Sequence, residues 1–78
     1  MNAIEERLSA LLTSRFGLSA EVDPDLTFGE LDIDSISLVE LAMISQEEFG
    51  VTVGDDDFTA RHTLRTAAAL LASKGAGV

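Results

Sequence analysis

Cysteine is absent from this chain of 78 residues, and histidine occurs once, at His62. The lack of cysteine excludes disulfide bonds, thiolate metal sites and cysteine nucleophiles. A single histidine also excludes a zinc site built from several imidazoles. We therefore predict no metal site of these kinds.

Long apolar runs are also missing. No apolar stretch approaches the roughly 20 residues needed to cross a bilayer. The first ten residues, MNAIEERLSA, contain acids and no long apolar run, which is unlike a signal peptide. We expect a cytoplasmic, monomeric protein that does not bind membranes, with residues 1–78 forming one small domain.

Basic residues are scarce: five Lys and Arg stand against 14 Asp and Glu, for a net charge of −9. Between Phe16 and Ala60 there is no Lys or Arg, yet this window contains 12 of the 14 acids. Such a charge distribution repels nucleic acid and anionic lipid and attracts basic protein surfaces. The sequence therefore predicts no nucleic-acid partner.

Three segments have the pattern of helices: NAIEERLSALLTSRFG, SISLVELAMISQEEFG and TLRTAAALLASKG. Asn2 with Glu5 forms a plausible capping pair for the first, and Thr63 is the expected cap of the last. Glycines at the three C-terminal ends are stop signals. The expected buried face of the last helix consists of Leu64, Ala67, Ala68 and Leu71.

The segments between these helices are less regular. Residues 18–34 contain Pro24, Gly29 and several Asp, and predict a loop. Five apolar residues are expected to keep it ordered: Val22, Leu26, Phe28, Leu31 and Ile33. VTVGDDDFTARH predicts a short extended or loop piece and one helical turn from Asp55. The predicted fold is therefore all-α, a small four-helix bundle of three main helices and a short third one, with a long ordered loop before the second helix.

The second helix has two apolar faces. One is an ordinary core stripe, made of Leu38, Leu41, Ala42, Ser45 and Phe49. The other carries Ile36, Val39 and Met43, with Glu40 and Glu47 beside them. A central helix that buries most of its circumference would explain both faces. The glutamates favour an exposed patch instead, because carboxylates are rarely buried unpaired, and such a patch marks a protein-binding site.

Ser35 lies where this helix should begin, and it could cap the helix, attack a substrate or carry a group. Catalysis is disfavoured, since His62 is the only possible imidazole base and there is no G-x-S-x-G motif. A calcium loop beginning at Asp32 is disfavoured too, because Ile36 and Met43 occupy ligand positions. Either Asp34 or Ser35 would cap the helix well. A phosphodiester on Ser35 would meet the positive end of the helix dipole.

Taken together, these residues resemble an acyl carrier protein over essentially the full length. The resemblance includes DSI at 34–36, then LVEL, AM and EEFG, with a long loop before the serine and a short acidic segment after the second helix. It implies a carrier and not a catalyst. A separate transferase would attach 4′-phosphopantetheine from coenzyme A to Ser35, and the thiol of this arm would hold acyl groups as thioesters.

The resemblance also implies which residues meet partner enzymes: Asp34, Ile36, Val39, Glu40, Met43 and Glu47. The expected partners are a phosphopantetheinyl transferase and a ketosynthase, acyltransferase or other acyl-processing enzyme with a basic docking surface. Ile36 replaces the usual leucine of the family, and Gly54 stands where many fatty-acid carriers have proline. These departures favour a stand-alone carrier of polyketide or related secondary metabolism. Two alternatives stay open: an aminoacyl or peptidyl carrier, and an unmodified helical adaptor.

Overall fold

The computed structural model describes residues 2–18, 22–54 and 56–76. Three helices are found there: α1 (Ala3–Phe16), α2 (Ser35–Phe49) and α3 (Leu64–Ser73). Within these residues no strand forms, and the only extended pairing is an isolated antiparallel bridge between Thr27 and Thr63. The prediction of a small all-helical protein is confirmed. Each helix is too short or too polar to cross a bilayer in the described part of the chain.

Local signals define the helix ends. The side chain of Asn2 accepts a hydrogen bond from the N–H of Glu5, and the Glu5 carboxylate accepts one from the N–H of Asn2, which completes a capping box. Thr63 caps α3. α2 ends at Gly50, which adopts φ 68°, a left-handed conformation that glycine reaches without the Cβ clash of other residues. These predicted helix ends are confirmed.

The core is one continuous cluster between the three helices, the loop before α2 and the segment after it. The predicted core stripe of α2 and the predicted buried face of α3 all lie in it. α1 contacts both other helices. The largest fully buried apolar side chains of the core are Leu8, Leu12, Phe28, Leu41, Leu64 and Leu71. The core therefore holds α2 by one face and leaves the opposite face in solvent.

The loop before α2 contains one helical turn that was not predicted. Thr27 and Glu30 form a reciprocal capping pair, since each side chain accepts from the other residue's backbone N–H. Asp32, at φ 61°, ends the turn, and the N–H of Ile33 donates to the carbonyl of Phe28 at 3.0 Å. Phe28 and Ile33 are buried by this arrangement.

The loop is attached to the rest of the fold by backbone hydrogen bonds. The N–H of Phe28 donates to the carbonyl of His62 at 2.8 Å, and that of Gly29 donates to Ala60 at 3.0 Å. A Cβ added at Gly29 would lie 3.2 Å from the Ala60 carbonyl oxygen, so the close approach favours glycine. Of the five predicted anchors, Leu26 is an exception, because 36% of its surface remains exposed.

The predicted short helix from Asp55 is not confirmed. Asp55 itself lies outside the described residues, and residues 56–62 form successive turns. Asp57 accepts from the N–H of Gly54 at 2.8 Å, and Nδ1 of His62 accepts from the N–H of Thr59 at 2.9 Å. Nδ1 of His62 binds the N–H of Thr59, which a continuous helix beginning at residue 55 would pair with a backbone carbonyl, whereas the Asp57–Gly54 contact closes a single turn. This arrangement favours separate turns over one helix.

Candidate functional site

Ser35 is the first residue of α2, and Asp34 is its N-cap. The Asp34 carboxylate accepts from the N–H of Ser37 at 2.7 Å. The capping function that either residue could have supplied therefore belongs to Asp34. Ser35 is exposed, and its hydroxyl makes no hydrogen bond within the described part of the chain. The hydroxyl is accordingly available to an external reactant.

The carboxylate beside this hydroxyl is held in its ionised form. Hydrogen bonds from Ser37, chiefly from its backbone N–H, lower the pKa of Asp34 below the ordinary value of an aspartate. A carboxylate with a lowered pKa is a weak base. Asp34 therefore orients the start of the helix and is poorly suited to take a proton from Ser35.

A groove of about 290 Å³ opens next to Ser35. One wall comes from α2, through Leu38 and Val39. The other comes from the turns after α2 and consists of Asp56, Phe58, Thr59 and Ala60. Phe58 is buried and packs edge-to-face on Phe28, with ring centroids 6.2 Å apart. The loop before α2 thus supports the far wall of the groove from behind.

The face of α2 that points away from the core is exposed. We call its residues the outer face: Ile36, Val39, Glu40, Met43 and Glu47. Ile36 is 70% exposed, Met43 60% and Val39 36%. A shallow hollow of about 210 Å³ brings Glu40, Met43 and Glu47 together with the half-buried Ile44. Val39 lies instead in the groove beside Ser35, and Ile36 lines neither depression.

Sequence reasoning missed two parts of this region. Ile44 lines the hollow on the outer face and was not predicted there. Helical spacing could have found it, because it places Ile44 next to both Glu40 and Glu47. The far wall of the groove was missed as well. Its one local signal is Phe58, a single large apolar residue in an otherwise polar segment, which must be buried somewhere.

The acidic run after α2 does not form a metal site in the described residues. No group of three or more His, Cys, Asp or Glu side chains is arranged there to hold an ion. Asp57 is engaged otherwise: its carboxylate accepts from the N–H of Gly54 and pairs with Lys74 at 3.2 Å. These two contacts, the first being the stronger, lower the pKa of Asp57.

Comparison with known proteins identifies the family. Residues 6–71 match the family model described as "Phosphopantetheine attachment site". The acyl carrier protein of Nitratidesulfovibrio vulgaris (strain DSM 19637 / Miyazaki F) is 44% identical over 57 residues, which cover 70% of this chain and 75% of that protein. Acyl carrier protein 2 of Pseudomonas aeruginosa is 36% identical over 69 residues, covering 86% and 87% respectively.

A further relative, the acyl carrier protein of Thermobifida fusca, is 51% identical over 39 residues, about half of each chain. The family model covers all of α2 and most of α1 and α3. The chain belongs to the acyl carrier protein family, whose members carry a covalently bound 4′-phosphopantetheine.

Proposed function

We propose that Ser35 is the attachment site of the phosphopantetheine arm and that the chain delivers acyl intermediates, held as thioesters, to partner enzymes of a biosynthetic pathway. The observation that carries this proposal is the exposed hydroxyl of Ser35 at the start of α2, which binds no described residue and lies next to an N-cap supplied by Asp34. The arm supplies a thiol, which a chain without cysteine cannot provide itself.

The residues around Ser35 suit such a group. A phosphodiester on the Ser35 oxygen would lie at the N-terminus of a helix of 15 residues, where unpaired N–H groups and the helix dipole favour negative charge. The carboxylates of Asp32 and Asp34 oppose this effect. Since Asp34 is hydrogen-bonded to the helix start, part of its charge is already compensated. The groove beside Ser35 offers space for the part of the arm next to the protein.

Acyl carrier proteins are carriers and not catalysts, and they interact with a phosphopantetheinyl transferase and acyl-processing enzymes. We propose that these partners, among them a ketosynthase or an acyltransferase, contact Asp34 and the outer face. Ile36 and Met43 supply exposed apolar surface, and the glutamates supply a charged rim for basic docking surfaces. A carrier must also leave each enzyme, which favours a small contact.

The proposed pathway is polyketide or related secondary metabolism. Ile36 in place of leucine and Gly54 in place of proline support this assignment. Gly54 also suits the turn it occupies, because its N–H is needed as the donor to Asp57 and proline has none. A peptidyl carrier would use the same serine, so the attached group must be measured directly.

The attachment site is tested by intact mass after incubation with coenzyme A, Mg²⁺ and a promiscuous phosphopantetheinyl transferase. The wild type and Ser37→Ala should each gain one phosphopantetheinyl group, and Ser35→Ala should gain none. Ser37 is the matched control because its hydroxyl lies two residues away on the same helix. No gain in the wild type would support the adaptor alternative, and a gain in Ser35→Ala would place the arm elsewhere.

The pathway is tested separately, by the mass of the group attached to protein isolated from its native producer. A polyketide-type acyl group supports the assignment. An aminoacyl group would make the chain a peptidyl carrier, and a saturated fatty acyl group would indicate a housekeeping role. All three results leave the attachment to Ser35 unaffected.

A further inference from the structure

The imidazole ring of His62, the single histidine of the chain, accepts a backbone hydrogen bond that helps to close a turn. The backbone N–H of Thr59 donates to Nδ1 of His62 at 2.9 Å, while the N–H of His62 donates back to the carbonyl of Thr59 at 3.0 Å. A ring nitrogen can accept a hydrogen bond only while it carries no proton, so this contact requires neutral imidazole with the proton on Nε2. In the imidazolium form, Nδ1–H would face the N–H of Thr59 and could donate only to the Thr59 hydroxyl, 3.4 Å away, so the contact with the backbone N–H is lost.

This turn holds the loop that precedes Ser35. The carbonyls of Ala60 and His62 accept the N–H groups of Gly29 and Phe28, at 3.0 and 2.8 Å. Phe28 in turn supports Phe58, and Phe58, Thr59 and Ala60 form the far wall of the groove beside Ser35. A change at the His62 ring therefore reaches the groove through two backbone hydrogen bonds and one aromatic contact.

We propose that His62 is a proton-sensitive latch, whose neutral ring closes the Thr59–His62 turn and whose protonation loosens the loop 28–33 and the wall of the groove beside Ser35. Imidazole is the side chain that ordinarily changes charge between about pH 5 and 8, and this range is the one in which the proposal is tested. The inference concerns the fold around Ser35 and does not depend on whether Ser35 is modified.

Among the described residues, three charged side chains lie in or beside the cavity that contains the ring. Asp56 and Asp57 line the same cavity as His62, and Lys74 pairs with Asp57 from the end of α3. The α3 residues in this cavity, among them Thr66 and Leu70, do not titrate. An imidazolium attracted to Asp57 would still give up the Thr59 N–H, so in both arrangements of the charged ring the turn keeps only its backbone hydrogen bond from His62 to Thr59.

Two variants isolate the ring nitrogen. In His62→Asn, the amide oxygen stands the same number of bonds from the backbone as Nδ1 and can accept from Thr59, but it does not titrate. In His62→Ala, no acceptor remains at any pH. The first variant should behave like the neutral form, and the second like the protonated form.

The experiment follows backbone amides of the unmodified full chain by NMR between about pH 5.5 and 8. Hydrogen-exchange protection of Phe28 and Gly29 is compared with His62→Asn at each pH, which cancels the intrinsic effect of pH on exchange. The wild type should lose about three- to tenfold of protection towards pH 5.5 relative to His62→Asn, the ratio expected for one neutral hydrogen bond. The amide of Leu38, bonded to Asp34 in α2, should not change.

The same pH dependence in wild type and His62→Asn would overturn the proposal, because the carboxylates would then be responsible. It would also be overturned if the His62 ring titrated while the amides of Thr59, Phe28 and Gly29 kept their shifts and protection. Agreement between His62→Ala at pH 8 and the wild type at pH 5.5 would support it. If His62→Ala does not fold, the comparison of the wild type with His62→Asn across the pH range decides the matter.

Discussion

Replacing Met43 with alanine separates the effect of the outer face on partner binding from any effect on the fold. Met43 is 60% exposed, so less than half of its side chain is protected from water. Full burial of a methionine contributes about 1.5–3 kcal/mol, and Met and Ala both favour helices. We therefore expect Met43→Ala to change the free energy of unfolding by about 1 kcal/mol or less.

Leu41, two residues away on the core face of the same helix, is the matched control. It is fully buried, and its truncation to alanine should cost about 2–5 kcal/mol because a cavity remains. For a domain of this size 1 kcal/mol shifts Tm by about 4–8 °C. Thermal denaturation followed by circular dichroism should therefore show a drop of about 8 °C or more for Leu41→Ala and only a few degrees for Met43→Ala.

Partner recognition should show the reverse order. The kcat/KM for modification by a phosphopantetheinyl transferase should fall about fivefold or more for Met43→Ala, as expected when an apolar contact at the centre of an interface is removed. Leu41→Ala, measured well below its Tm and corrected for the folded fraction, should keep nearly the wild-type value. A Tm drop in Met43→Ala as large as in Leu41→Ala, or an unchanged kcat/KM, would refute this account of the outer face.

Four further changes test other parts of the structure. Glu40→Lys should slow modification by a basic partner, and added salt should shrink the difference from wild type in the same kinetic assay, since exposed charges are screened. Ser45→Ala should raise the free energy of unfolding in urea by about 0.5–2 kcal/mol, because the Ser45 hydroxyl is fully buried with no hydrogen-bond partner among the described residues; a loss would reveal a missed partner. Asp32→Val should destabilise by about 1–2 kcal/mol, because a β-branched residue is strained at φ 61°, whereas Asp32→Gly should fold as well as wild type in the same melts. For Asp34, the lowered folded-state pKa means that the stabilising hydrogen bond is present above the ordinary aspartate value and lost as pH falls through the folded value. The stability difference between wild type and Asp34→Ala in urea titrations should therefore be constant near neutral pH and shrink below about pH 4; a difference independent of pH would contradict the assignment.

The features predicted correctly from the sequence are those with local causes. The ends of α1 and α2 depend on residues three to five positions apart, such as Asn2 with Glu5 and Gly50 with Gln46. The core stripe of α2 follows from helical spacing alone, and all five of its residues are buried. The location of Ser35 at a helix start is of the same kind, so the candidate attachment site could be found before the fold was known.

The helical turn in the loop also had a local signal, which was overlooked. Thr27 and Glu30 have the spacing of a capping box, the same pattern that was recognised at the start of α1 in Asn2 and Glu5. The glycine and acidic residues around it favoured a loop. The short helix predicted from Asp55 does not form in the described residues for the opposite reason. Its sequence resembles a helix start, and Asp57 does accept from the N–H of Gly54, but Nδ1 of His62 takes the N–H of Thr59 that a continuing helix would pair with a carbonyl.

The groove beside Ser35 could not be predicted, because its far wall depends on contacts between distant parts of the chain. The N–H of Phe28 donates to the carbonyl of His62, which is 34 residues further along the chain, and the N–H of Arg65 donates to the carbonyl of Pro24 at 3.1 Å. No periodicity within either segment encodes these pairs. Gly29 illustrates the point: in the sequence it indicates only a turn, and the close approach of Ala60 is what makes a side chain there costly. The position of the candidate attachment site was therefore available from a few neighbouring residues, whereas the groove beside it follows from how the loop and the turns after α2 pack together.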